Sequence, residues 1–386
     1  MYKKRALIIT ALTGFVRAFL LQDIEILQKL GYEVHCAANG IGDDDTVSKN
    51  KEYFNNLGAE FHQIDFSSNN PFSKSTLKTY KQVSSLLKEQ YFDLIAVHTP
   101  IPGVVVRLAA RKYRKKGTKV VYTTHGFYFH KKGSKKQNII FGNIEKFMSR
   151  FSDAIVTINN EDYTAAKKMH SPLVYHINGV GVDTKKYILD EFDRTAYREK
   201  LGVSKNQTVL LSVGEISYRK NYQVVIKALS KLKEHNLVYL ICGKGLTGDG
   251  ITKELQQLAR NLNVNVIFLG YRRDIPEIIA SSDIGVIPSN REGLGLAGIE
   301  MLAGGLPVVG SSVQGIKDYV VPEKTGYLAD PYDEDDFAKA ISKLIDPSAR
   351  EKMKNTCIQE AKLFDKQTSY KQLTDIYSEV DKMTEV

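Results

Sequence analysis

The sequence predicts an α/β protein built as two doubly wound parallel sheets, and three observations lead there. The chain has 386 residues, too many for one ordinary core and suited to two domains of roughly 150–200 residues. Short β-branched runs alternate with amphipathic helical patterns along its whole length, the mark of parallel βαβ units. The alternation comes in two series, separated by the polar stretch "DTKKYILDEFDRTAYREKLGVSKNQ" (183–207), which reads as a hinge.

The first series opens on "RALIITAL" (5–12). The basic start and apolar run before residue 13 superficially suggest a signal peptide. The run is short and no small-residue cleavage site follows, so a first strand fits better. Further strands read "EVHCAA" (33–38), "EFHQI" (60–64), "DLIAVH" (93–98), "KVVYTT" (119–124), "AIVTI" (154–158) and "LVYHI" (173–177). Between them, stretches such as "VRAFLLQDIEILQKLG" (16–31) and "GVVVRLAARKYRKKG" (103–117) carry apolar residues at helical spacing. The second series restarts with "TVLLSVG" (208–214) and continues through "LVYLICG" (237–243), "VNVIFLG" (264–270), "IGVIPS" (284–289), "LPVVG" (306–310) and "GYLA" (326–329). These patterns divide the chain into residues 1–185, residues 186–365 and a terminal helix over 366–386 expected to pack back on the first domain.

Composition narrows the class. With 42% hydrophobic and 25% charged residues the chain is globular, and no apolar run reaches the ~20 residues needed to span a bilayer. Cys36, Cys242 and Cys357 are far apart and form no CxxC or Cys/His cluster, so they read as reduced core residues of a cytosolic protein. The net charge of +10 is uneven: residues 1–190 hold 28 Lys+Arg against 17 Asp+Glu, whereas 191–386 hold 26 against 27. Residues 94–144 have eleven basic residues and no acidic one. A solvated face explains such a run as readily as an anionic partner does; nucleic acid and a membrane surface are the two candidates. Nucleic acid drops out, because the basic segments have no recognisable motif and no aromatic platform.

In doubly wound sheets ligands bind outside the carboxyl ends of the strands. After the first strand comes "TGF" with a single Gly14, so a G-x-G-x-x-G dinucleotide fingerprint is absent. The fourth and fifth strands end in "HTPIPG" and "HGFYFHKKG". In the second half the ends carry "GEISYRKNY", "GKGLTGDG", "GYRRD", "SNREGLGLAG" and "GSSVQG". Four of these five set Lys or Arg beside glycine or serine, the parts from which a diphosphate site is assembled. Within "REGLGLAGIEMLAGGLP" (291–307), Glu292 precedes a glycine turn and Glu300 follows it. Taken alone, Glu300 also fits a helix-favouring carboxylate welcomed by the macrodipole in a first turn.

Together these residues resemble the retaining glycosyltransferases of family 4, which have the GT-B fold of two Rossmann-like domains facing across a cleft. The resemblance spans essentially the whole chain. Its most specific part is the E-x7-E element, Glu292 to Glu300, preceded by "SSDIGVIPS" and followed by "GGLPVVGSSVQGIKDYV". "GYEVHCAA", "THGF", "SRFSDAIVTINNEDYTAAKK" and "NGVGVDTKKY" add to it from the first half. The wording "THGFYF" and "INNEDY" is similar to bacterial enzymes that build capsule, exopolysaccharide or glycan chains on a polyprenyl carrier.

The resemblance implies roles. Glu292 would accept hydrogen bonds from donor-sugar hydroxyls and stabilise the charge developing at the anomeric carbon. Glu300 would bind the ribose hydroxyls. Gly293, Leu294, Gly295 and Leu296 would form the turn over the diphosphate, where glycine lets the backbone approach closely. Lys220 stands at the position of the family's diphosphate-binding lysine. Glu215 occupies the place where an arginine usually follows the glycine, and Arg219 is the candidate to replace that charge; a solvated arginine at a helix start is the competing reading. His125 resembles the family's histidine that approaches the donor sugar, and Gly14 would add a donor contact from the first domain. Tyr271 and Arg272 are candidates for the rim of the base pocket, or else ordinary loop residues.

The Asp43–Asp45 run looks like a metal-binding D-x-D but follows the second strand, away from the expected phosphate site. Lys220 and the helix dipole suffice to assist departure of the diphosphate, so no metal and no cofactor are expected. The leading expectation is an enzyme moving a hexose or N-acetylhexosamine from a UDP-sugar to a polyprenyl-diphosphate-linked glycan. It would lie peripherally on the inner face of the cell membrane, held to the anionic surface by its basic first domain. A transferase acting on a small soluble acceptor, a sugar-nucleotide 2-epimerase and a two-lobed sugar-binding protein are the alternatives.

Overall fold

A computed structural model describes residues 3–41, 44–66, 73–232, 236–245 and 248–383. The chain forms two compact units, one of residues 1–180 with 367–386 and one of residues 181–366.

The first unit is built on a seven-stranded sheet. Its strands are β1 (Arg5–Leu12), β2 (Glu33–Asn39), β3 (Ala59–Gln63), β4 (Leu94–His98), β5 (Lys119–Thr124), β6 (Ala154–Thr157) and β7 (Leu173–His176). Their spatial order is 3-2-1-4-5-6-7 and every pairing is parallel. Such strands are covered on both faces, which is why they read as continuous apolar runs rather than alternations. Leu7, Ile9, Ile95, Val97, Val120 and Tyr122 fill one side of the sheet and are fully buried. Arg107 is also fully buried; it pairs with Glu145 at 2.7 Å and stacks on the Tyr122 ring at 4.0 Å. The terminal helix Lys366–Asp381 completes this unit from Gln367 onward: Tyr377 donates to Asp23 Oδ1 at 2.6 Å and Lys4 pairs with Asp381 at 2.8 Å.

The second unit has a six-stranded parallel sheet. Its strands are β8 (Thr208–Val213), β9 (Leu237–Cys242), β10 (Val266–Gly270), β11 (Ile284–Ile287), β12 (Val308–Ser311) and β13 (Gly326–Ala329), in the order 10-9-8-11-12-13. Cys36, Cys242 and Cys357 are all buried and unpaired by disulfides.

The polar stretch 183–207 is no loose hinge. It holds the short helix Arg194–Lys200, and buried Asp283 fastens it by ion pairs to Arg198 at 2.6 Å and Arg194 at 2.7 Å. Its polarity is that of an ion-paired surface helix rather than a linker, and the division between units falls at residue 180 instead of 185. Gly42 and Asp43 lie outside the described residues, as do the side chains of Asp44 and Asp45, so the acidic run has no structural reading. Among the described residues no helix is long and apolar enough to cross a membrane.

Candidate active site

In the second sheet the winding reverses between β8 and β11, and a ligand crevice forms outside the carboxyl ends at such a switch point. The chain leaves β8 through Gly214 and reaches Lys220, and it leaves β11 through Ser289 and reaches Glu292. Asn221 joins the two exits. It adopts the left-handed conformation (φ 57°), which asparagine tolerates, and its side-chain amide donates to Pro288 O at 3.1 Å and Pro331 O at 2.8 Å.

Lys220 is thereby aimed at Glu292, with Nζ 2.6 Å from Oε2. Arg219 Nη1 at 3.2 Å and Ser289 Oγ at 3.1 Å donate to the same oxygen. Oε1 takes no part in this cluster. The Lys220 and Glu292 side chains are each only 14% exposed. Burial pushes the Glu292 carboxyl up, but the charges of Lys220 and Arg219 and the bonds from Lys220 and Ser289 outweigh it, and the carboxyl stays below its ordinary range. Arg219 also lies 3.8 Å from Glu215, so it offsets the acid that stands where an arginine was expected.

The glycine turn is built as tightly as its sequence suggests. Gly295 has φ +82°, and a Cβ there would lie 2.9 Å from Glu292 Cγ. A Cβ on Gly298 would fall 2.3 Å from Tyr319 Oη, and that hydroxyl donates to Gly295 O at 3.2 Å. Tyr319 packing against the turn, and not only approach to a ligand, therefore demands glycine. Leu294 is buried, so at this turn it offers backbone alone; Gly293 and Leu296 complete the turn. The following helix, Leu296–Ala303, begins without a side-chain cap and with no acid in its first turn. Glu300 sits one turn deeper, which removes the explanation of a carboxylate stabilised by the first turn. Tyr187, from the short 3₁₀ turn Thr184–Tyr187, bonds to it. Burial holds the Glu300 carboxyl above its ordinary range, against the opposing pull of Tyr187 and Lys186.

Tyr271 and Arg272 separate. Tyr271 follows β10 and is 68% exposed, with Lys244 Nζ 5.9 Å from its ring centroid. The Arg272 guanidinium is committed to Asp274, with Nε 2.8 Å from Oδ1, and Asp274 in turn accepts from Tyr197. Arg272 thus reads as a loop anchor rather than a rim residue, because an arginine two residues from an aspartate satisfies its charge locally.

In the first sheet the switch point lies between β1 and β4. Gly14 is the second residue of the helix Thr13–Phe19, and a Cβ there would meet nothing within 4 Å. His125, just after β5, shares a hydrogen bond of 3.1 Å (Nε2 to Nδ1) with His98 at the end of β4. His98 Nε2 lies 3.8 Å from Asp23 Oδ1, the oxygen that Tyr377 holds. Burial pulls His125 down to about 4, so it is neutral at pH 7, and pulls His98 well below its usual value. Burial pushes Asp23 up to about 6 against the Tyr377 bond. Beside His98, Thr99 has φ 69°, a strained conformation for a β-branched residue and the kind found at functional sites. The sequence reading missed Asp23, His98 and Thr99. Their signals were a second strand-end histidine in "AVHTP" and an acid on the apolar face of a helix.

Residues 24–188 match the family described as Glycosyltransferase Family 4, and residues 193–364 match Glycosyl transferases group 1. The chain is 30% identical over 383 residues to the putative glycosyltransferase EpsD of Bacillus subtilis, covering 97% of this chain and 96% of that one. It is also 30% identical over 291 residues to the UDP-Gal:alpha-D-GlcNAc-diphosphoundecaprenol alpha-1,3-galactosyltransferase of Escherichia coli, covering 74% and 73%. Among solved structures, Anabaena HepE in complex with UDP and glucose superposes with a TM-score of 0.76 at 22% identity, covering 98% of this chain and 100% of that one.

Proposed function

The chain belongs to the family 4 glycosyltransferases of the GT-B fold, and from that membership we propose that it moves a sugar from a UDP-sugar to a glycan carried on polyprenyl diphosphate, with retention at the anomeric carbon. The observation that carries this reading is the Lys220–Glu292 pair, held at 2.6 Å at the switch point and followed by the glycine turn. Glu292 Oε1 meets the donor-sugar hydroxyls, Glu300 meets the ribose, and the start of the helix at Leu296 faces the diphosphate. His98 holds the neutral His125 imidazole in orientation at the carboxyl end of β5. The bond from the anomeric carbon to the diphosphate breaks, the acceptor oxygen bonds on the same face, and the acceptor proton passes to the leaving phosphate. Lys220 neutralises the diphosphate, so transfer survives excess EDTA.

Supporting the lipid-linked acceptor is the Escherichia coli relative, whose name gives a diphosphoundecaprenol acceptor. The assay that tests the reading offers several UDP-sugars, first for hydrolysis and then for transfer to a polyprenyl-diphosphate glycan or to a water-soluble analogue. Transfer to the soluble analogue alone would replace it with the small-acceptor reading. Glu300→Ala should weaken UDP binding by about 1.5–3 kcal/mol, read by calorimetry, with little change in turnover at saturating donor.

Membrane docking is part of the proposal, with fewer exposed charges and more exposed apolar side chains than the charge count suggested. Of the eleven basic residues in 94–144, Arg107 is buried on Glu145 and Arg114 pairs with Asp153 at 2.7 Å. Arg111, Lys112, Lys115, Lys116, Lys131, Lys132, Lys135 and Lys136 remain exposed. The helix Lys135–Met148 adds exposed Ile139, Ile140 and Phe147, and Ile140 and Phe147, two turns apart, share a face. Each basic residue near an anionic leaflet contributes about 1 kcal/mol, and buried apolar side chains add to it. The chain should co-sediment with anionic liposomes at low salt and be released at high salt. Serine at Lys112, Lys115, Lys116, Lys131 and Lys132 should abolish this and slow lipid-linked transfer far more than donor hydrolysis. Equal binding to neutral and anionic vesicles would remove the electrostatic part.

A further inference from the structure

Two Glu-x-His triplets, "EVH" (33–35) and "EFH" (60–62), lie on neighbouring strands at the edge of the first sheet, away from the switch point. Strand alternation turns Glu and His of each triplet to one side, and the parallel register sets His35 opposite Glu60. His35 Nδ1 and His62 Nε2 are 2.9 Å apart. One Glu60 oxygen lies 3.5 Å from His35 Nδ1 and the other 3.6 Å from His62 Nε2. A tetrahedral metal at about 2.0–2.1 Å from each ligand sets neighbouring ligand atoms about 3.3 Å apart. The two nitrogens, and a carboxylate oxygen beside each, already stand near that spacing, and one ligand atom from each of the three residues lies within 4.8 Å of the others.

The surroundings suit a ligand set. His35 is 1% exposed, and the edge of Phe92 packs on its ring with centroids 5.2 Å apart. Its other nitrogen, Nε2, is buried without a hydrogen-bond partner and lies 3.8 Å from Glu33 Oε1. A carboxylate that closes to hydrogen-bond distance there would fix the tautomer of a metal-bound histidine. The hydrogen bond between the two imidazoles already requires a proton-free nitrogen on one of them, and a metal would take the lone pairs of both. Glu60 and His62 keep the approach open from solvent, with side chains 54% and 15% exposed.

We propose that His35 Nδ1, His62 Nε2 and the Glu60 carboxylate bind a divalent metal of the zinc type, with water in the remaining position. Two imidazole nitrogens and one carboxylate select such a transition metal over magnesium or calcium, which take oxygen ligands. Because β3 is an edge strand, held by one neighbour only, the metal would staple it to β2. The site serves the fold and not the transfer reaction.

The test uses the full chain without a polyhistidine tag, stripped with a chelator and titrated with Zn²⁺ against a chromophoric competitor. One equivalent should bind in the micromolar range or tighter, and the melting temperature should rise with Zn²⁺ but not with Mg²⁺. Glu60→Gln and His62→Gln, at solvent-accessible positions, should each weaken binding on the order of 100-fold and remove the thermal shift, and Glu33→Gln should weaken it about tenfold. Donor hydrolysis by His62→Gln should match wild type. No bound equivalent, or binding that survives the Glu60→Gln/His62→Gln double variant, would reduce the cluster to a hydrogen-bonded histidine pair and overturn the assignment.

Discussion

Glu292→Ala lowers sugar transfer by at least about 10²–10³-fold while UDP binds with near-wild-type affinity. The expectation rests on where the carboxylate sits and on what already holds it. Three donors converge on Oε2, from Lys220 at 2.6 Å, Ser289 at 3.1 Å and Arg219 at 3.2 Å, so the group is fixed and charged before substrate arrives. A preorganised charge stabilises the positive character that develops at the anomeric carbon without reorganising during the reaction. In the proposed role it meets the sugar and not the nucleotide, so its loss should fall on turnover. Removal also frees Lys220 for the diphosphate, and UDP affinity should hold or rise slightly. Glu292→Gln is the cleaner variant: it keeps the acceptor oxygen for Lys220 and Ser289 but not the charge. Steady-state transfer together with UDP calorimetry on both variants decides the matter. Wild-type turnover in both would put the sugar-binding carboxylate elsewhere.

Lys220→Ala should reduce turnover and UDP-sugar affinity together, and it should also destabilise the protein. In the proposed role its ammonium meets the diphosphate in the ground state and a greater charge as the glycosidic bond breaks, so both parameters should suffer. The stability cost has a separate cause: Glu292 would remain in a mostly buried position with Arg219 and Ser289 as its remaining donors. Stranding one partner of a fully buried pair costs about 3–5 kcal/mol, and the remaining donors bring the expectation to about 2 kcal/mol. Lys220→Arg should recover most of the stability but less of the activity, because the planar guanidinium cannot reproduce a point charge folded against Gly214. Denaturant unfolding beside kinetics separates the two effects. Unchanged stability in Lys220→Ala would mean that the pair does not hold the turn.

Much of the candidate site's grouping was legible because its residues lie close together in sequence or at the ends of neighbouring strands. Glu292, the glycine turn and Glu300 lie within nine residues, and Lys220 follows a strand by a fixed short turn. Arg272 misled for the opposite reason: a basic residue at a strand end looks available until its neighbour Asp274 is seen to hold it. Asp23, His98 and His125 form one line although they come from a helix and two strands, and no spacing in the chain announces that. The same holds for Tyr319, which sits 21 residues past Gly298 yet makes glycine obligatory there.

The sequence by itself determined the two sheets and their parallel strands. Hydrophobic period and β-branched runs are properties of neighbouring residues and survive without knowledge of the fold. Only the tertiary structure decided how the charges are spent. It buried Arg107 on Glu145, tied Arg114 to Asp153, fastened 183–207 to Asp283 and brought His35 against His62. Whether a charge faces water or a partner depends on groups far away in sequence, and a buried charge must find its counter-ion wherever the fold supplies one.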